Sequence, residues 1–247
     1  MLDPGLEAKI RGAYRDPELA VLEGFHALKH ALRFGAVIEL AVTADPEAID
    51  RLARDHAPDL RERLHALLEP VTMADLARVA RGSLASPVLA VARRPAPLHH
   101  LLRDGRPVLL LESPSHLGNL GACVRTAAGL GAAAVWTIGG PSPWHPTALR
   151  GSAGLHFALP VLAITGLPAL PADRPLLAFD PEGVPLSAEI DLDGAILAFG
   201  TERGGLSESL KARAERLLAI PMEPLVSSLN LATSVAIALW HWRARKR

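Results

Sequence analysis

The sequence predicts an α/β protein, with a small α/β domain followed by a larger domain built on a mainly parallel sheet. Three observations carry this reading. After residue 106 come six short, nearly continuous apolar runs: VLLLE (108–112), AAVWTIG (133–139), FALPVLAI (157–164), PLLAFD (175–180), AILAFG (195–200) and RLLAIPM (216–222). Strands covered by helices on both faces of a parallel sheet look like this. Helical stretches fit between several of them, at 119–130 and 207–214, with a long terminal helix near 228–243. The apolar content comes mainly from Leu, Ala and Val, with few aromatics, which suits helices packed on a buried sheet.

The N-terminal elements follow in order. Residues 1 to about 20 are polar, carry Pro4 and Pro17, and read as a lead-in helix or arm. EGFHALKHALRFG (23–35) places Phe25, Leu28 and Leu32 at helical spacing, and Gly35 ends the run. AVIELAVTA (36–44) reads as a buried strand, 46–56 and 59–68 as helices separated by Pro58, 72–80 as a short helix, and SPVLAVAR (86–93) as a strand. The segment 93–107 mixes Pro, His and charge in the manner of a connection. The domains are therefore expected at 1–95 and 106–247, with a linker over 96–105. His99 and His100 have no acidic or cysteine companions at ligand spacing, so they read as surface residues and no metal is expected.

The 26 basic and 26 acidic side chains cancel, so global charge gives no direct support for nucleic acid, although a local patch can sit on a neutral protein. Arg243, Arg245, Lys246 and Arg247 crowd the C-terminal end, either as a helix end favoured by its dipole or as an RNA-facing patch. The single cysteine, Cys123, excludes an intrachain disulfide and reads as core. No leader-like segment is present at the N-terminus, and the apolar runs fall far short of the roughly 20 residues that span a bilayer. A soluble, cytoplasmic protein without a membrane partner is expected.

The chemistry lies in three segments. After VLLLE comes SPSHLGNLGACVRTAAGLG (113–131), which is neither a GxGxxG dinucleotide fingerprint nor a GxxxxGK[ST] phosphate loop. There is also no HExxH, GxSxG or CxxC. A second glycine loop, GTERGGLS (200–207), follows AILAF; such loops let a ligand approach the backbone closely, and ordinary tight turns also look like this. The third segment, 220–240, sets Ser227, Ser228 and Asn230 at the mouth of an apolar helix. A serine there can cap the helix, whereas a buried, unpaired Asn230 amide would be costly.

In this order and spacing the three segments resemble the motifs of the SpoU, or TrmH-like, branch of the SPOUT methyltransferase superfamily. Motif one is matched by Asn119, Gly121, Arg125, Thr126 and Ala127, preceded by Glu112. Motif two is matched by Gly200, Glu202, Gly205, Leu206 and Ser207. Motif three is matched by Ile220, Pro221 and Met222 and by Ser228, Leu229 and Asn230. The upstream unit is similar to the family's N-terminal substrate-binding domain, related in fold to ribosomal protein L30e. The resemblance implies a SPOUT-type domain with a trefoil knot, preceded by a small L30e-like α/β domain, and a homodimer whose interface lies beside the cofactor site.

The resemblance further implies an RNA 2'-O-methyltransferase using S-adenosylmethionine, with ribosomal RNA the favoured substrate. Transfer RNA, or a non-catalytic RNA-binding protein on the same fold, are the alternatives. The cofactor would be held by Phe199, Gly200, Thr201, Glu202, Gly204, Gly205, Ile220, Pro221, Met222 and Leu229. Arg125 would handle the ribose hydroxyl, Asn119 would support Arg125 or the nucleotide, Glu202 would fix the loop or contact RNA, and Ser228 with Asn230 would shape the transfer pocket. Glu112 is expected to orient Arg125 through a bidentate contact, with Gly121 as structural support. Thr201, Pro224, Leu231 and Ala232 depart from the residues common in the family at those positions.

Overall fold

The computed structural model describes residues 3–96, 105–201 and 204–246. The linker expected over 96–105 and its histidines fall mostly outside them. The chain forms two compact units. One contains the described residues up to Ala96 together with Trp144–Ala158, and the other contains the described residues from 105 to Pro143 and from Leu159 onward. The segment 144–158, read from the sequence as part of the second domain, thus has its contacts in the first unit.

The first unit runs α1 (Pro4–Ala13), β1 (Leu19–Glu23), α2 (Phe25–Arg33), β2 (Ile38–Thr43), α3 (Pro46–His56), α4 (Arg61–Leu67), β3 (Glu69–Pro70), α5 (Met73–Val79) and β4 (Val88–Arg93). Its sheet has the order β1-β4-β2-β3. The two pairings made by β4 are antiparallel and β2–β3 is parallel. Helix starts are set locally: the Asp3, Asp45 and Thr72 side chains accept from the backbone N–H groups of Leu6, Ala48 and Asp75, satisfying donors that a helix leaves open. Ile10, Val21, Val42, Leu76, Leu89 and Val91 form the core. The expected lead-in segment contains both α1 and the start of β1. That strand escapes a periodicity reading because it is short and nearly all buried.

The second unit contains β5 (Val108–Glu112), α6 (Leu117–Leu130) and β6 (Ala134–Ile138); α7 (Pro146–Gly151) then belongs to the first unit's segment. The chain returns as β7 (Val161–Ile164), β8 (Leu176–Pro185), β9 (Ile196–Phe199), α8 (Glu208–Arg213), β10 (Arg216–Ala219) and α9 (Leu231–Ala244). The sheet order is β10-β8-β9-β5-β6-β7, and every pairing is parallel. Val108, Leu110, Trp136, Ala178, Ile196 and Leu210 belong to its core, and α6 packs against α9. The third apolar run begins its strand later than its sequence suggests: Leu155–Phe157 forms a 3-10 turn, so FALPVLAI becomes a strand only from Val161.

The basic C-terminal end has a structural task. Lys246 pairs with Asp193, Arg245 donates to the Ile190 carbonyl, and Trp242 Nε1 donates to Asp193 Oδ1 at 2.8 Å. These contacts fasten the end of α9 to the loop before β9, so Arg245 and Lys246 are engaged within the chain. Cys123 is buried in α6, in the core as expected.

Candidate active site

Ligands of open parallel sheets bind beyond the carboxyl ends of the strands. Here a cavity of about 390 Å³ lies at the middle of β8 and the ends of β9 and β10. Phe179, Asp180 and Pro181 come from β8, and Phe199, Gly200, Thr201 and Gly205 from the end of β9 and its loop. Leu218, Ile220, Met222 and residues 227–229 come from β10 and the chain beyond it, while Leu231 and Ser234 close the wall from α9. The volume falls within the range of small-molecule sites.

The β9 loop is shaped by its own backbone. Thr201 and Gly205 exchange two N–H···O=C bonds of 3.1 Å each, and Gly204 N–H donates to Thr201 Oγ1 at 2.9 Å. Gly205 takes φ +62°, a conformation glycine adopts without a Cβ penalty. A Cβ on Gly200 would lie 2.1 Å from the carbonyl of Gly205. Gly200→Ala must therefore displace the loop; at the roughly 1–3 kcal/mol typical of overpacking, this amounts to about ten- to hundredfold in cofactor affinity. Titration calorimetry on a variant with unchanged circular dichroism checks it, and undiminished affinity would remove the loop from the cofactor site.

Two contacts join the three segments. Glu112, at the end of β5, accepts from Ser207 N–H at 2.7 Å and from Ser207 Oγ at 2.6 Å. Ser207 in turn caps α8 through Leu210 N–H. The expected bidentate contact of Glu112 with Arg125 is thus corrected: both carboxylate oxygens hold the end of the second glycine loop. Asn230 Nδ2 donates to Asn119 Oδ1 at 3.3 Å, linking motif three to motif one. Asn230 is exposed rather than buried, and its Oδ1 caps α9 by accepting from Ala232 N–H. The capping role that Ser227 or Ser228 might have filled belongs to Asn230.

Of the residues expected at the cofactor, Phe199, Gly200, Thr201, Gly205, Ile220, Met222 and Leu229 line the cavity, as does Ser228. Pro221 and Gly204 lie beside it in sequence and are not on its wall. Glu202 lies outside the described residues. Gly121 is buried in α6. Arg125 is exposed on α6 and is not a wall residue of this cavity. Asn119 and Arg125 are six positions apart, about 240° around the helix, and so occupy different faces.

Sequence reasoning missed Phe179, Asp180, Pro181, Leu218 and Ser234. Phe179 stacks on Phe199 with ring centroids 4.5 Å apart and planes 7° from parallel, which follows from their opposed positions in β8 and β9. The available signal was the charged residue ending the apolar run PLLAFD, since strand ends are where ligand groups collect.

Burial raises the Asp180 pKa, but the hydrogen bond from Lys211, the Glu182 N–H and the lysine charge outweigh it and hold the carboxyl below its ordinary range. Asp193 is also lowered, first by the hydrogen bond from Lys246, against burial and with help from Trp242. For both groups the folded value lies below the unfolded one. Their stabilisation is complete above the unfolded pKa of about 3.9 and is lost as pH falls through the depressed folded value. Thermal unfolding should move to lower temperature between neutral pH and pH of about 3, and Asp193→Asn should flatten that acid limb. An unchanged acid profile in the variant would count against the assignment.

A parallel α/β sheet carrying this cavity, with its walls formed by the middle of β8, the loop after β9 and the chain beyond β10, defines a SPOUT-type methyltransferase domain. The SpoU rRNA methylase family profile matches residues 106–240. An uncharacterised tRNA/rRNA methyltransferase of Synechocystis is 30% identical over 92% of this chain and 84% of its own length. The 23S rRNA (adenosine(1067)-2'-O)-methyltransferase of Streptomyces laurentii is 35% identical over 56% of this chain, which spans about half (54%) of that protein. The crystal structure of the SpoU methyltransferase AviRb from Streptomyces viridochromogenes with AdoMet superposes with TM-score 0.80 at 18% identity, covering 99% of this chain and 98% of that one. The chain belongs to the SpoU rRNA methylase family. Membership places the chain among RNA methylases.

Proposed function

We propose that this protein methylates ribose 2'-hydroxyls of ribosomal RNA, working as a homodimer on the knotted chain path that its family resemblance implies. The observation that carries the reading is the strand-end cavity, with three motif segments tied together by Glu112–Ser207 and Asn119–Asn230. The cavity fits the cofactor in chemistry as well as size. Its wall includes two stacked aromatic rings and the hydroxyl-bearing residues Thr201, Ser227, Ser228 and Ser234. The rRNA methyltransferase name of the Streptomyces laurentii relative favours ribosomal RNA, whereas the Synechocystis name includes transfer RNA.

The bound cofactor supplies a sulfonium whose methyl is already electrophilic. What the chain must do is place a 2'-hydroxyl in line and stabilise it as its proton leaves. Arg125 is donor-only, because a guanidinium presents five N–H donors and no acceptor. It orients the hydroxyl and stabilises the developing oxyanion. The Phe179–Phe199 stack and the Thr201–Gly205 bridge keep the cofactor's surroundings rigid.

The homodimer reading rests on exposed apolar side chains: Leu225 and Val226, fully and 48% exposed, precede the cavity residues 227–229, Leu229 is 38% exposed, and Trp240 on α9 is 55% exposed. A surface with this many large apolar groups is the kind a second copy covers. Arg125 lies off the cavity wall of its own chain, so a partner surface there also bears on how the reaction site is completed. Sedimentation should give a dimer for the wild type and a monomer for Leu225→Asp/Trp240→Asp. A monomeric wild type would remove this part of the proposal.

The decisive experiment offers labelled S-adenosylmethionine to separate ribosomal and transfer RNA pools, followed by nuclease digestion to locate the label. Label on ribose in ribosomal RNA is expected. Label confined to transfer RNA would replace the substrate, and cofactor binding without transfer to any RNA would favour the non-catalytic RNA-binding reading.

A further inference from the structure

Asp180 ends the buried part of β8 and is only 8% exposed, yet it lines the cavity. Among the described residues of that wall it is the one charged side chain. Its Oδ1 accepts from Glu182 N–H at 3.0 Å, and its Oδ2 lies 2.8 Å from Lys211 Nζ. A carboxylate has about four acceptor positions, so two partners leave room for a ligand's donors. Burying an ionised carboxylate is costly unless it is paired, and Lys211 provides that pairing from α8, outside the cavity wall.

The ion pair decides which donor suits the site. The carboxylate accepts only, so it repels a ligand carboxylate. Its net charge is already balanced by Lys211, so an ammonium arriving beside it would meet the lysine's repulsion as well as the carboxylate's attraction. Neutral hydroxyl donors take the remaining lone pairs without either difficulty. A vicinal diol is the matching group, and an acidic side chain is a recurrent partner for a nucleoside ribose. The neighbouring Phe179–Phe199 stack supplies an apolar surface on which the flat base of the same nucleoside can lie.

We propose that Asp180 is the specificity-determining residue for the nucleoside half of the cofactor, accepting hydrogen bonds from its ribose 2'- and 3'-hydroxyls. The inference rests on the cavity being the S-adenosylmethionine site. Lys211 is then a positioning residue, holding the carboxylate ionised and aimed without touching the ligand.

Calorimetry with S-adenosylhomocysteine and its 2',3'-dideoxy analogue tests this on the full-length protein. In the wild type the analogue should bind about ten- to hundredfold more weakly, the range for hydrogen bonds to a charged group. In Asp180→Asn the parent compound should weaken by a similar factor, and the difference between parent and analogue should shrink to about twofold or less. Lys211→Met should weaken both ligands while keeping more of their difference than Asp180→Asn does. Equal binding of parent and analogue by the wild type overturns the assignment, and that comparison needs no variant to fold. A full parent–analogue difference retained in Asp180→Asn, with an unchanged melting temperature, also overturns it by placing the diol elsewhere. Failure of the wild type to bind S-adenosylhomocysteine or S-adenosylmethionine would instead sink the reading of the cavity, and the inference with it.

Discussion

Arg125→Ala should lower methyl transfer by about 10²- to 10³-fold, the usual cost of deleting one donor aimed at a developing oxyanion. Affinity for S-adenosylmethionine should stay within about twofold, because uniform ground-state binding does not depend on an interaction made in the transition state. The structure separates the two effects: Arg125 is exposed on α6 and off the cavity wall, so its loss leaves the cofactor's surroundings intact. Packing is likewise spared, since the buried face of α6 is made by Leu120, Cys123, Val124 and Ala127. Arg125→Lys keeps the charge but loses the planar fork, and should recover only part of the rate. Single-turnover transfer and calorimetry on the same preparations give the two numbers. A surface arginine without a role would leave both unchanged, and a loss confined to cofactor affinity would move Arg125 from hydroxyl handling to binding.

Arg125, Asn119 and Asn230 were singled out through the resemblance of their motifs to a known family, whereas Asp180, on the cavity wall, lies outside those motifs. Motif residues stand out where glycines and polar groups interrupt apolar runs. The parallel sheet was visible for the same reason, because strands buried on both faces give uninterrupted runs bounded by such interruptions. Asp180 is a single charged residue at the end of such a run, and nothing local shows that Phe199 lies opposite Phe179 until the β8–β9 register is known. Glu112 was placed at the site but given the wrong partner. Its real partner, Ser207, is 95 residues away, whereas Arg125 was near in sequence. Asn230 was read as a buried amide in an apolar helix; it is the exposed cap that begins that helix. The strand order also depends on long-range pairing, on which periodicity is silent. The same limit hid the affiliation of 144–158, whose contacts lie with residues more than 100 positions upstream.

One buried carboxylate takes part in that affiliation, and breaking its contacts should have the largest effect on stability. Glu23 ends β1 with its side chain fully buried. Its Oε1 accepts from the Tyr14 hydroxyl at 2.6 Å and from Arg81 N–H at 2.9 Å, while Oε2 pairs with Arg150 of α7. Arg150 also donates to Thr147 Oγ1. Nearby, Gly154 sits so close to α2 that an added Cβ would lie 2.5 Å from the Ala27 carbonyl, and His30 Nδ1 donates to the Ala153 carbonyl at 2.7 Å. Burial, followed by the hydrogen bond to Glu23, pushes the Tyr14 pKa well above its usual value, so the phenol remains a donor throughout the neutral range. Glu23→Ala strands three donors at once, one of them charged, and should cost about 3–5 kcal/mol, as for other buried pairs that lose one partner. Glu23→Gln keeps the shape and an acceptor for Tyr14 but removes the charge facing Arg150, so it should cost less. Urea unfolding followed by circular dichroism gives both values. If Glu23→Ala costs under about 1 kcal/mol, the pair is no stronger than a solvent-exposed one, and the packing of Gly154 on α2 must hold the segment instead. A large loss in Glu23→Ala that Arg150→Ala fails to reproduce would assign the stability to Tyr14 and Arg81 N–H, leaving the ion pair as alignment for 144–158.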